Sequence, residues 1–221
     1  MRRWIWIAAA LILAACGSQD ATQEANQGSE LLSVTFDGPD DWETGAYPAD
    51  NPTSTLSINQ GRYQIDHQSS NRASFAWGIG GQPAEDVIID IDTEQLSSEK
   101  DNLYGVGCRM TVDEDGKGTG YVLLISGDGH YGIARMSNNS LIFLLNWHQS
   151  EQIKQGRAKN SLRAVCVENY FALYVNGEFM GEITDNRYRR AGQMGLIAGV
   201  NKDGDVSIIF DNLKVYEGTL K

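Results

Sequence analysis

Histidine and cysteine are scarce in this 221-residue chain, three of each, with the histidines at positions 67, 130 and 148. That spacing offers no cluster of imidazole or thiolate ligands, so a zinc centre is excluded as the organising feature. Basic residues are also in short supply. Eighteen Lys and Arg stand against 29 Asp and Glu, a formal charge of −11, and an acidic surface of that kind repels nucleic acid and anionic lipid. No nucleic-acid partner is expected. No segment sustains an amphipathic helical period beyond one or two turns near Gln149 to Gln155, which argues against an α+β class, and no internal repeat divides the chain. Serine nucleophile chemistry lacks its surroundings too. Ser126, Asp128 and His130 lie two apart around a turn, and His148 precedes Ser150, but neither set has a glycine-rich elbow or an oxyanion hole.

What is present is strand. From Asn160 onward, apolar residues alternate at Leu162, Val165 and Val167, then at Phe171, Leu173 and Val175, with a corner at Asn169-Tyr170 that folds them into a hairpin. Asn176-Gly177 tolerates positive φ at both central turn positions, so Phe179 and Ile183 are expected on a third antiparallel strand. The last strand, Val206 to Val215, is expected at a sheet edge. Upstream, 32–36, 62–67, 74–77, 86–91, 104–110, 120–125, 130–135 and 141–145 have strand length and β-type composition. Asp115-Gly116, Gly127-Asp128-Gly129 and Asn138-Asn139 supply turns between them, and 47–52, with prolines 48 and 52, reads as an irregular loop. The class is all-β.

The N-terminus reads as an address. Met1-Arg2-Arg3 precedes the apolar run 4–13, too short to span a bilayer as a stable helix, and Leu13-Ala14-Ala15-Cys16-Gly17 resembles the bacterial lipobox. The resemblance implies cleavage after residue 15, lipid attachment to Cys16 and an extracytoplasmic domain anchored to a bilayer. The alternative is an ordinary signal peptide with an incidental cysteine. Cleavage leaves 221 − 15 = 206 residues and 16 basic against 29 acidic groups, a charge of −13. Residues 16–30 contain no cluster able to pack and are expected to form a flexible tether, leaving 31–221 as one domain. Cys108 and Cys166 then form an even pair in an oxidising compartment, and a disulfide is expected; two buried free cysteines are the alternative.

The run Tyr174-Val-Asn-Gly177, Asp185, Gly192-Gln-Met-Gly195-Leu196 and Phe210-Asp-Asn-Leu-Lys-Val215 resembles the C-terminal half of the concanavalin A-like lectin/glucanase superfamily. Laminin-G-like and 3-keto-disaccharide-hydrolase-like domains are the nearest in pattern. The match extends less strictly through 104–109 and 129–133 to Phe36 and Trp42. It implies a two-sheet antiparallel jelly-roll sandwich that often handles carbohydrate. Three roles follow: non-catalytic binding of polysaccharide or another surface partner, a glycosidase-type enzyme, or a scaffolding lipoprotein.

Asp90-Ile91-Asp92-Thr93-Glu94 is compared with the Glu-x-Asp-x-Glu strand of laminarinase-like glucanases, whose outer two glutamates act as nucleophile and acid. The three acids share a face here. The first, being aspartate, falls about 1.5 Å short in an unchanged frame, and solvated acidic positions on a strand are the commoner cause of such a run. Asp113 with Asp115, and Asp203 with Asp205, bring oxygen ligands to tight loops and are calcium candidates, although hairpin turns use the same residues. No other cofactor is expected. Trp42, Trp77, Tyr131 and Trp147 read as strand-end aromatics able to stack on sugar faces or to close the core. Trp147, Trp77 and Tyr131, with Arg109 as hydroxyl partner, are the expected ligand-binding set.

Overall fold

The computed structural model describes residues 20–221 except 39, 40, 52 and 71. The signal segment and Cys16 lie outside the described residues. Fifteen strands follow one another without a helix among them: β1 (Ala25–Val34), β2 (Gly45–Tyr47), β3 (Ser54–Asn59), β4 (Arg62–Ser69), β5 (Ser74–Ala84), β6 (Val87–Gln95), β7 (Asn102–Val112), β8 (Gly118–Ile125), β9 (His130–Ser137), β10 (Ser140–Gln149), β11 (Lys159–Val167), β12 (Tyr170–Val175), β13 (Glu178–Thr184), β14 (Gly192–Val200) and β15 (Gly204–Leu220). They form two antiparallel sheets. One runs β13-β12-β11-β6-β15-β4-β3-β2 with β1 added beside β15; the other runs β10-β9-β8-β7-β14-β5.

Period-two alternation builds the sandwich, because successive strand side chains leave opposite faces. On the nine-stranded sheet, Ile89 and Ile91, Leu162 and Ala164, and Phe171 and Leu173 point inward; Tyr104, Val106, Tyr121, Leu123 and Leu196 meet them from the other sheet. Each such buried side chain contributes about 1.5–3 kcal/mol. Turns follow the residues that tolerate positive φ: Asn138 and Asn139 at 51° and 60°, Asn176 and Gly177 at 53° and 91°.

The final strand departs from expectation. β15 is central, hydrogen-bonded to β6 on one side and to β4 and then β1 on the other. Val206, Ile208 and Phe210, then Leu213 and Val215, all enter the core. A bulge between Asp211 and Lys214, with Asn212 at φ 53°, inserts the extra residue that keeps both inward sets in phase. A strand carrying that much apolar surface belongs in the middle of a sheet.

The tether also becomes ordered earlier than expected. β1 starts at Ala25, paired with Leu220, and Thr22 and Gln23 contact Glu182 and Tyr170. Main-chain pairing to β15 orders a segment whose side chains are too polar to announce a strand. The short strands β2 and β3 flank the Tyr47–Thr53 turn, where Thr53 N–H donates to the Tyr47 carbonyl.

Cys108 on β7 and Cys166 on β11 are disulfide-bonded with Cα atoms 6.6 Å apart, stapling one sheet to the other across the core. Closing 58 residues of chain restricts the unfolded state by about 4 kcal/mol in the loop-entropy account.

Candidate functional site

The six-stranded sheet carries a surface with an unusual composition. Its six strands contain no aspartate or glutamate. Its outer face is apolar, with Val122, Leu124, Ala134 and Met136 buried beneath half-buried Phe75, Trp77, Phe143 and Trp147. Glycines allow the rings to lie down. A Cβ at Gly118 would stand 2.6 Å from the Trp77 ring, and one at Gly132 would meet Phe143 at 3.2 Å. Trp77 is therefore a mid-strand residue, not a strand-end one, and it shares this face with Trp147.

The other aromatic candidates are elsewhere. Trp42 is 5 % exposed and packs against Phe36 and Tyr63 in the core. Tyr131 leaves the opposite side of β9, stacked on His148 at 5.8 Å and lining a depression with Glu182. Arg109, expected as a hydroxyl partner for a ligand, is buried instead. It is 1 % exposed, and donates from Nε to the Glu85 carbonyl, from Nη1 to the Tyr188 carbonyl and from Nη2 to Asp86, with its guanidinium over Phe171. Burial lowers its pKa, and Asp86 opposes that shift. Its guanidinium is spent on closing one end of the sandwich.

The nine-stranded sheet presents the opposite chemistry. Its outer face carries a groove of about 620 Å³ that adjoins a smaller depression of about 220 Å³, the two sharing Asp92, Ser161 and Asn212. Register explains the layout. Tyr174 pairs with Arg163, Arg163 with Asp90 and Asp90 with Lys214, so four outward side chains form one row across β12, β11, β6 and β15. The next row toward the depression holds Ser161 and Asp92, about 6.6 Å further along the strands. In the other direction Ile88 and Tyr216 pair, giving an apolar and aromatic end.

Each central carboxylate is held. Arg163 donates from Nε and Nη2 to the two oxygens of Asp90, both at 2.6 Å, and this pair raises the pKa of the guanidinium. Asp92 accepts from Ser161 Oγ at 2.6 Å and from Asn212 Nδ2 at 3.1 Å. The bulge at Asn212 is what turns that amide onto the face. Glu94 receives Arg62 at 3.5 Å and Lys159 at 3.3 Å. Asp90, Asp92 and Glu94 thus share the outer face of β6 as their alternation predicts; both oxygens of Asp90 and of Asp92 are engaged by neighbouring donors, and Glu94 is engaged through Oε2.

The loop acids serve their own turns. Asp113 Oδ1 accepts the N–H groups of Asp115 and Lys117, and Lys117 pairs with Asp115 at 3.3 Å. Asp203 and Asp205 flank the β14–β15 turn at Gly204, and among the described residues no group of three or more potential metal ligands is brought together.

Arg163, Ser161 and Tyr216 carry no motif in the sequence, and Tyr174, Asn212 and Lys214 fall in the runs of the resemblance without being marked there as site residues. Their signal is alternation alone, which marks them as outward-facing without saying which strands are neighbours.

No family model and no curated protein matches the sequence. Solved structures do. A Bacillus subtilis protein of unknown function with a galectin-like fold superposes with a TM-score of 0.63 at 10% identity, over 89% of this chain and 99% of that one. The fold is the concanavalin A-like jelly roll. Two further jelly-roll neighbours have named activities: the carbohydrate-binding module CBM66 from Bacillus subtilis (TM-score 0.59, 15% identity, 80% of this chain and 96% of that one) and a Bacillus licheniformis beta-glucanase (0.61, 11%, 87% and 99%). At these identities the likeness is one of fold.

Proposed function

We propose that this jelly roll is a non-catalytic glycan-binding module, held outside the cytoplasm by a lipid on Cys16. The observation that carries the reading is the row Tyr174–Arg163–Asp90–Lys214 beside Tyr216 in a groove on the nine-stranded sheet. Sugar recognition calls for aromatic faces to stack on C–H surfaces and for fixed, planar polar groups to read hydroxyls. An Arg–Asp pair locked at both oxygens supplies the second, and Tyr174 and Tyr216 the first. A carbohydrate-binding module among the fold's neighbours supports the same reading. The disulfide supports an oxidising compartment. Only three residues separate Cys16 from Asp20, four steps with a reach of about 14 Å, so the domain would ride close to its membrane.

The test is a glycan array with the wild-type chain, Tyr216→Ala, Arg163→Ala and Trp147→Ala. Binding is expected in the wild type and in Trp147→Ala, and lost in the other two. Loss only in Trp147→Ala would transfer the site to the aromatic face of the six-stranded sheet. Release of shorter glycans during incubation would overturn the non-catalytic reading.

A further inference from the structure

The charges of the groove are balanced differently from those of the whole chain. Overall, 18 basic residues face 29 acidic ones. The groove and its adjoining depression hold five basic side chains, Arg62, Lys154, Lys159, Arg163 and Lys214. Against them stand Asp90, Asp92, Glu94 and Asp211.

The pairing is unequal as well. Asp90 is taken by Arg163, and the single carboxylate of Glu94 is shared by Arg62 and Lys159. Asp92 is satisfied by Ser161 and Asn212, and Asp211 accepts the N–H of Asn212 at 2.7 Å. Two ammonium groups remain. The side chains of Lys214, in the tyrosine row, and Lys154, in the depression, are exposed and have neither a hydrogen bond nor an ion pair among the described residues. Asp92 and Asp211, held only by neutral donors, keep their charge as well, so the lining as a whole, five basic against four acidic side chains, carries one net positive charge in a chain that is otherwise acidic.

We propose that the glycan taken by this groove is anionic, carrying carboxylate or sulfate groups that face Lys214 and Lys154 while sugar rings lie against Tyr174 and Tyr216. The proposal rests on the glycan-binding reading and names its ligand class. A compact ammonium suits a single anionic oxygen and demands no forked geometry, so either anion satisfies it. The acidic remainder of the surface repels a polyanion at long range, and screening at about 0.1 M salt confines that repulsion to about 10 Å. An acidic glycan is thereby able to approach the groove, whose lining carries five basic side chains against four acidic ones.

Titration of the full-length protein in detergent micelles with polygalacturonate, dextran sulfate and neutral dextran tests this. One of the two polyanions is expected to bind about tenfold or more tightly than dextran, and the stronger of them identifies the anion. Lys214→Met and Lys154→Met should each weaken it about threefold to tenfold, and the double variant should abolish the preference. Lys202→Met, whose partner is Asp101 outside the groove, should leave it unchanged. A preference that survives the double variant would assign it to other cations, such as Arg187 and Arg190 of the β13–β14 turn, and overturn the proposal. Binding of neutral dextran alone, lost in Tyr216→Ala, would overturn the anionic class and leave the groove standing. No binding to any polymer would overturn both.

Discussion

Arg163 grips Asp90 at both oxygens, Nε to Oδ1 and Nη2 to Oδ2, each at 2.6 Å, across a register pair joining β11 to β6. The two residues are 73 apart in sequence. The Arg163 side chain is 44% exposed, so the pair contributes under about 1 kcal/mol to folding. Its value is positional. Arg163→Lys keeps the charge and loses the fork; glycan affinity is expected to fall about tenfold, with the urea midpoint nearly unmoved. A large loss of stability with unchanged affinity would mean that the pair serves the fold.

Arg109→Met should behave in the opposite way. The substitution strands the Glu85 and Tyr188 carbonyls and leaves Asp86 with only the Glu168 N–H as its donor. A cost of about 2–4 kcal/mol is expected, and for a chain of this size about 5–15 °C in Tm. Glycan affinity of the folded variant, measured below its transition, should match wild type.

The cross-sheet disulfide is a third target. Thiol titration of the unreduced, denatured chain should find no thiol from Cys108 or Cys166, and none at all where Cys16 carries the proposed lipid on its sulfur. Reduction, or Cys108→Ser with Cys166→Ser, should lower stability by about 2–5 kcal/mol. Unchanged melting after verified reduction would show that the sandwich needs no staple.

His67 makes stability pH-dependent. The ring is 6% exposed and lies between Ser54 Oγ at Nδ1 and Ser74 Oγ at Nε2, each at 2.8 Å. Burial lowers its pKa, although the contact with Ser74 opposes the shift. The unfolded ring therefore takes up its proton first, at about pH 6.5. Stability is full above that value and declines as pH falls through it toward the folded pKa. Denaturant midpoints measured from about pH 7.5 to about 5.5, on either side of the unfolded value, should drop for wild type and stay flatter for His67→Gln. Parallel slopes would assign the effect to carboxylates.

Several features are legible in the sequence because their causes are local. Alternation at Leu162 to Val175 marks two strands whatever they pack against. Asn176-Gly177 makes a tight turn because few residues accept two positive φ angles in succession. Asp90, Asp92 and Glu94 must share a face once β6 is a strand. The two-sheet jelly roll that the resemblance of the C-terminal run implied is the fold observed.

Sheet order lies beyond that reach. β6 sits between β11 and β15, and these pairings join residues far apart in sequence. No pattern within a strand names its neighbour, since every half-buried strand offers the same main-chain donors and acceptors. So β15, expected at an edge, is central, and polar residues 25–30 become a strand because β15 has a free side there. Arg109 reads as a polar contact in sequence and is buried by a packing that only the closed sandwich creates.

The sequence by itself determined an all-β chain, its turns and a cysteine pair able to bridge it, because each depends on residues within one or two strands. The tertiary structure decided which aromatics share a face, and it brought Tyr174, Arg163, Asp90 and Lys214 into one row. That row exists only where four strands from distant parts of the chain lie side by side, and their register is set by the core they jointly bury.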